Sequence, residues 1–201
     1  MMDGAAARGA IIAGGRASRF EGKPKGLELV GGRRILDRLV ETMRAAFGAP
    51  PLLVANAPEA SGWQPALRTV ADTIPGHGTL SGLHAAILEA PAPVVCVAWD
   101  MPFVEPGLLR ELAAGLRDHD AFLPASPGRR GMEPLCAAYG PACAGAIERS
   151  LAAGDFRAIG FHTSVRVGIL SDAAVRAHGD PARLFFNVNT GDDLLRAREL
   201  D

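Results

Sequence analysis

Ala10-Ile11-Ile12-Ala13-Gly14-Gly15 reads as a short, continuously apolar strand that two glycines bring to a stop. Runs of the same kind return at Leu52-Leu53-Val54-Ala55, at Val94-Val95-Cys96-Val97-Ala98 and at Ala121-Phe122-Leu123. Strands without a polar face are covered on both sides. The covers are legible between them. Ile35 to Phe47 carries apolar residues at Ile35, Leu36, Leu39, Val40, Met43 and Phe47, a helical spacing. Ser81 to Glu89 and Leu108 to Leu116 are also expected to be helical. Apolar strands alternating with helices predict an α/β three-layer sandwich with a mostly parallel central sheet and right-handed crossovers. Past residue 130 the pattern loosens. Leu135 to Tyr139 and Val165 to Leu170 are expected as strands, and Pro141 to Ala153 as a helix. Thr190 is the expected N-cap of a terminal helix running to Leu200.

Bulk properties narrow the function classes. At 201 residues with 48% hydrophobic and 21% charged residues, the chain is sized for one packed unit. Its boundary between halves is expected in the polar loop from Ser126 to Gly131. A net charge of −1 supplies no field to recruit nucleic acid or an anionic membrane. Aromatic content of 5% argues against a stacking platform for single strands. Cys96, Cys136 and Cys143 have no CxxC spacing and read as reduced thiols rather than a zinc site. No apolar run reaches the roughly 18 residues of a membrane span, so a cytoplasmic protein is expected.

The loop after the first strand carries the chemistry. It runs Gly14-Gly15-Arg16-Ala17-Ser18-Arg19-Phe20-Glu21-Gly22-Lys23-Pro24-Lys25-Gly26-Leu27. It leaves the carboxyl end of a strand, where open α/β sheets bind ligands. Glycine lets backbone N–H groups approach phosphate oxygens, and the cations neutralise them. A Walker A loop needs four residues between its first glycine and the Gly-Lys pair. Here six separate Gly15 from Gly22-Lys23, and Pro24 follows. The GxGxxG fingerprint is absent because Gly14 and Gly15 are adjacent.

Several polar residues stand at strand ends. Asp100 ends the Val94 run and is placed to meet Mg²⁺, which takes one or two carboxylates plus phosphates and waters; a helix-start or turn aspartate before Pro102 is the less favoured alternative. Asp72 follows Thr69-Val70-Ala71 and suits either a ligand contact or a solvated loop. Gly76, Gly78 and Gly82 either admit a ligand or only shape a turn, and His77 reads as a loop residue. Asn187 and Asn189 flank Val188, so in a strand their amides would share a face. They suit a polar heterocycle or a purely structural role.

These pieces together resemble a known family. Ile12-Ala13-Gly14-Gly15, then Arg19, then Lys25-Gly26-Leu27 is similar to the signature of MobA-type molybdenum cofactor guanylyltransferases, nucleotidyltransferases with a Rossmann-like fold. Pro75-Gly76-His77-Gly78-Thr79-Leu80-Ser81-Gly82, Asp100-Met101-Pro102-Phe103, Glu133-Pro134-Leu135 and Asn187-Val188-Asn189-Thr190 resemble its later motifs, in the same order. Pro24 departs from the aspartate the family often has there, and Thr79 from its usual proline. The resemblance implies one nucleotidyltransferase domain over residues 1–201, with a nucleotide-binding half at 1–125 and a pterin half at 126–201. It implies GMP transfer from GTP to molybdenum-molybdopterin, with release of pyrophosphate. It assigns Lys25, Arg19 and Asp100 to catalysis, and Asp100 to Mg²⁺. It gives the nucleotide Ile12, Ala13, Gly14, Gly15, Lys25, Asn56, Asp72, Gly78, Gly82 and Asp100, and the pterin Glu133, Asn187 and Asn189. A monomer is expected, with transient contact to molybdoenzymes or cofactor chaperones.

Three other readings share parts of this pattern. A cytidylyltransferase on the same pterin would share the loop and Asp100, although Gly14-Gly15 favours the guanylyl branch. A sugar-nucleotide pyrophosphorylase would lack the Asn-x-Asn-Thr ending. A non-catalytic GTP-binding partner would not need both Lys25 and Asp100.

Overall fold

The computed structural model describes residues 7–14, 24–74, 78–90, 92–128 and 131–201. In chain order, the strands are β1 (Arg8–Ala13), β2 (Leu29–Val30), β3 (Arg33–Arg34), β4 (Leu52–Ala55), β5 (Thr69–Val70), β6 (Val94–Ala98), β7 (Ala121–Pro124), β8 (Cys136–Tyr139) and β9 (Val167–Leu170). The helices are α1 (Ile35–Phe47), α2 (Ala60–Trp63), α3 (Thr79–Glu89), α4 (Pro106–Gly115), α5 (Cys143–Ala152), α6 (Asp172–Arg176), α7 (Pro181–Leu184) and α8 (Gly191–Glu199). Short 3-10 turns occupy Lys25–Leu27 and His162–Ser164.

Seven strands form one sheet in the order β5-β4-β1-β6-β8-β7-β9. β1 pairs in parallel with both β4 and β6. β8 is antiparallel to its neighbours β6 and β7, whereas β7 and β9 are parallel. The sheet is therefore mostly parallel, as the apolar runs predict. The chain leaves β1 toward β4 on one side and returns through β6 on the other. That reversal opens a crevice at the carboxyl ends of β1 and β6.

Alternation along β1 divides the core. Ile11 joins the α1 and α4 side through Ile35, Leu36, Leu39 and Leu112. Ala10 and Ile12 face the α3 and α5 side through Leu80, Leu83, Ile147 and Leu151. The short α6, α7 and α8 add Val175, Leu184 and Leu194 to the first side. At about 25 cal/mol per Å² of apolar surface removed from water, each fully buried leucine or isoleucine contributes about 2 kcal/mol.

Local chemistry sets the element ends. Gly48 closes α1 in the left-handed conformation at φ 71°, returning its N–H to the Arg44 carbonyl. Thr190 caps α8 as expected, and Asp193 completes a capping box. Two expectations change. α3 begins at Thr79 rather than Ser81, with Gly78 at its N-cap at φ 67°. No strand forms at 187–189, where the backbone bond from this stretch is Val188 N–H to the Asp100 carbonyl at 2.9 Å. The antiparallel β2–β3 hairpin and the four- and five-residue helices α2, α6 and α7 were not foreseen. No helix among the described residues is long and apolar enough to cross a membrane.

Candidate active site

β6 delivers Asp100 to the crevice, because Trp99 N–H still bonds the Ile12 carbonyl of β1 at 3.2 Å. On the far side of the crevice the 3-10 turn delivers Lys25. Lys25 Nζ donates to Asn189 Oδ1 at 2.8 Å and lies 3.8 Å from Asp100 Oδ2. The Lys25 and Asp100 side chains are only 13% and 15% exposed, so their charges are little screened by water. Asp100 Oδ1 is buried and has no hydrogen-bond partner among the described residues. Burial pushes the Asp100 carboxyl above the usual carboxylate range, and the Lys25 ammonium pulls it back only in part. An acceptor oxygen in this state suits a hard cation. Among the described residues no group of three His, Cys, Asp or Glu side chains converges.

A second polar pair stands two strands away. Asn56, just past β4, donates from Nδ2 to Asp72 Oδ2 at 2.6 Å, and the Asp72 N–H donates back to Asn56 Oδ1 at 2.8 Å. Burial raises the Asp72 carboxyl, and the Asn56 amide opposes that rise. Gly82 in α3 packs against this pair. A Cβ there would stand 3.2 Å from Asp72 Oδ1 and 3.3 Å from Ile12 Cγ2. Gly82 therefore serves close approach of helix, strand and carboxylate, not a turn. Behind it, Thr73 Oγ1 and His84 Nδ1 share a hydrogen bond at 2.7 Å, and His84 Nε2 reaches Glu148 Oε1 on α5 at 3.2 Å. His84 is 3% exposed.

The later motifs divide. The Leu135 carbonyl accepts the Ala98 N–H at 2.8 Å, which brings the Glu133-Pro134-Leu135 turn beside the end of β6. Glu133 Oε1 accepts the Leu135 N–H at 3.0 Å and lines a cleft of about 550 Å³ with Thr79, Met132, Phe156 and Arg157. Asn189 joins Lys25 and Asp100, and its N–H is held by Asp193 Oδ2 at 3.0 Å. Asn187 Nδ2 donates to the Phe185 carbonyl at 2.9 Å. The two amides thus have different partners. Ile12, Ala13 and Gly14 stand at the carboxyl end of β1. Gly15 and Arg19 lie outside the described residues, as do Gly76, His77 and the two arginines at 129 and 130.

Sequence reasoning missed Trp99, Trp63 and His84. The two indoles stack with centroids 5.1 Å apart at 24°. Trp99 stands directly before Asp100, and that adjacency was a usable signal. His84 carried none, since a lone histidine in an apolar helix is usually a core residue.

Comparison with known proteins places this geometry. The family model described as the MobA-like NTP transferase domain matches residues 9–165. The chain is 38% identical to the probable molybdenum cofactor guanylyltransferase of Pelotomaculum thermopropionicum, covering 96% of this chain and 92% of that protein. It is 33% identical to the molybdenum cofactor guanylyltransferase of Desulfosudis oleivorans, covering 96% and 94%. The crystal structure of molybdopterin-guanine dinucleotide biosynthesis protein A from Archaeoglobus fulgidus superimposes with a TM-score of 0.81 at 26% identity, covering 96% and 97%. A parallel-sheet crevice with lysine and aspartate facing each other across it, in a chain matched over most of its length, makes this protein a member of the MobA-like NTP transferase family.

Proposed function

We infer that this protein transfers GMP from GTP to the terminal phosphate of molybdenum-bound molybdopterin, forming the guanine dinucleotide cofactor and pyrophosphate. The single observation that carries the chemistry is the Lys25–Asp100 pair, buried at the crevice with one carboxylate oxygen unpartnered among the described residues. The names of its relatives supply the base and the acceptor.

The acceptor phosphate is anionic at neutral pH and is itself the nucleophile, so catalysis reduces to positioning and charge stabilisation. Asp100 is the residue to hold Mg²⁺, which supplies charge neutralisation across the phosphates. Lys25, aimed by Asn189, meets the charge that develops on the phosphoryl oxygens and on leaving pyrophosphate. Arg19 shares that task. Ile12, Ala13, Gly14 and Gly15 bring backbone to the nucleotide, with Gly78 and Gly82 opposite. The Asn56–Asp72 pair, each fixing the other, reads the base. Glu133 with its cleft, together with Asn187 and Asn189, orients the pterin. In this reading residues 1–125 serve the nucleotide and 126–201 the pterin. The protein works as a cytoplasmic monomer that hands its product to a molybdoenzyme or a cofactor chaperone.

The test is pyrophosphate release with Mg²⁺ and molybdopterin, comparing GTP, CTP and ATP. GTP is expected to be preferred. A clear CTP preference moves the chain to cytidylyl transfer, and GTP binding without pyrophosphate release makes it a non-catalytic partner.

A further inference from the structure

Gly26 has no left-handed backbone to explain it, yet a side chain does not fit there. A Cβ would stand 2.5 Å from Trp99 Cε3, 3.0 Å from Cδ2 and 3.2 Å from Cζ3. The Lys25–Leu27 turn therefore lies directly on the Trp99 indole, which is 6% exposed. That indole is not a flexible partner. Trp63 stacks on it, and Arg34 of β3 holds Trp63: Arg34 Nη1 donates to the Trp63 carbonyl at 2.9 Å. Arg34 is itself locked by Nε and Nη2 bonds to Asp37 at 2.6 and 2.8 Å, and Gln64 Nε2 bonds the same carboxylate at 2.9 Å. Trp99 also continues the backbone of β6, so its neighbour Asp100 moves with it. One rigid indole thus touches both sides of the crevice: Asp100 through the chain, Lys25 through Gly26.

We propose that Trp99 is a positioning residue for nucleotidyl transfer, with its indole acting as a fixed stop that sets how far Lys25 stands from Asp100. The proposal rests on the nucleotidyl-transfer reading above. It gives the Lys25-Gly26 sequence a reason: the glycine is the place where the lysine turn meets the stop.

The test is a pair of substitutions and their combination, read as kcat, GTP KM and thermal midpoint. G26A adds a methyl against the indole and displaces the lysine turn. A displacement near 1 Å is expected to lower kcat by about 100-fold with the GTP KM close to wild type, a loss far larger than the accompanying fall in thermal midpoint accounts for. W99L removes the stop, and in G26A/W99L it makes room for the methyl. The double variant is expected to recover kcat by at least about tenfold over G26A, corresponding to about 1.4 kcal/mol of barrier. If Trp99 only fills the core, the losses of kcat and their recovery in the double variant simply follow the thermal midpoint. That result, or a G26A enzyme with wild-type kcat, overturns the proposal.

A second measurement does not depend on turnover or on the stability of G26A. The chain has 2 tryptophans, so W63F leaves Trp99 as the sole reporter. Adding Mg·GTP is expected to shift its emission, and an unchanged spectrum at saturating GTP contradicts the placement. Should wild type release no pyrophosphate from any triphosphate, the functional reading fails; the emission shift still decides the placement of Trp99.

Discussion

Asp100 and Asp72 both stand just past the carboxyl ends of parallel strands, and burial raises both carboxyls, yet their surroundings differ. Asp100 follows the central β6. It faces an ammonium at 3.8 Å and keeps one oxygen without a partner among the described residues. Asp72 follows the edge strand β5 and is closed into a reciprocal pair with Asn56. One site is left electrically incomplete, which a triphosphate and its cation would complete. In the other, Asn56 and Asp72 hold each other, and on the proposed reading this pair discriminates the base by hydrogen bonding. The contrast teaches that two carboxylates at equivalent strand ends can stand in different states, one facing an ammonium and the other paired with an amide.

Substitutions can break that contrast in order of effect. D100N should lower the rate of GMP transfer by about 100-fold or more while GTP:CTP preference stays put, as single-turnover kinetics would show. N189A removes the bond that aims Lys25. A hydrogen bond to a charged group is worth about 1.5–3 kcal/mol, so kcat should fall about tenfold or more, read from steady-state pyrophosphate release. N56A should leave kcat near wild type and raise the GTP KM by about tenfold, the cost of roughly one hydrogen bond. A fall in kcat at unchanged KM would place Asn56 with the catalytic pair instead.

The His84 contacts sharpen the second region. T73V removes the bond beside Asp72, and E148Q changes only the α5 side. The GTP KM should rise by a few-fold, about 1 kcal/mol, in T73V and hardly at all in E148Q, where Glu148 is 57% exposed. Equal effects would mean that His84 merely fastens α3 to α5.

The smallest effect lies away from the crevice. Arg157 holds the Asp155 carboxyl down at about 2. A depressed carboxylate stabilises the fold above the ordinary carboxylate range and loses that contribution as pH falls through about 2. Thermal midpoints of D155N and wild type should therefore differ slightly at neutral pH and converge in strong acid.

Much of this is legible in the amino-acid sequence alone. β1, β4, β6 and β7 announced themselves as continuous apolar runs, and α1 by its spacing. The short β2–β3 hairpin and α2, α6 and α7 hold too few residues for either periodicity to register. Asn187-Val188-Asn189 misled because alternation of polar and apolar residues imitates a strand. In the fold that stretch is pinned by one backbone bond to Asp100, and its amides part company. Lys25, Asp100 and Asn189 were each singled out, but not that they meet. Lys25 and Asn189 are 164 residues apart, and only the sheet order brings them together. The stacked indoles were invisible for the same reason.

The most direct measurement of the central claim is the ratio of GTP to CTP turnover, by transfer of labelled nucleotide to molybdopterin, in wild type, D100N and D72A. The account predicts a GTP preference in wild type that survives in D100N at a far lower rate and shrinks in D72A at a nearly preserved rate. A preference that collapses in D100N, or a rate that collapses in D72A with selectivity intact, would contradict it.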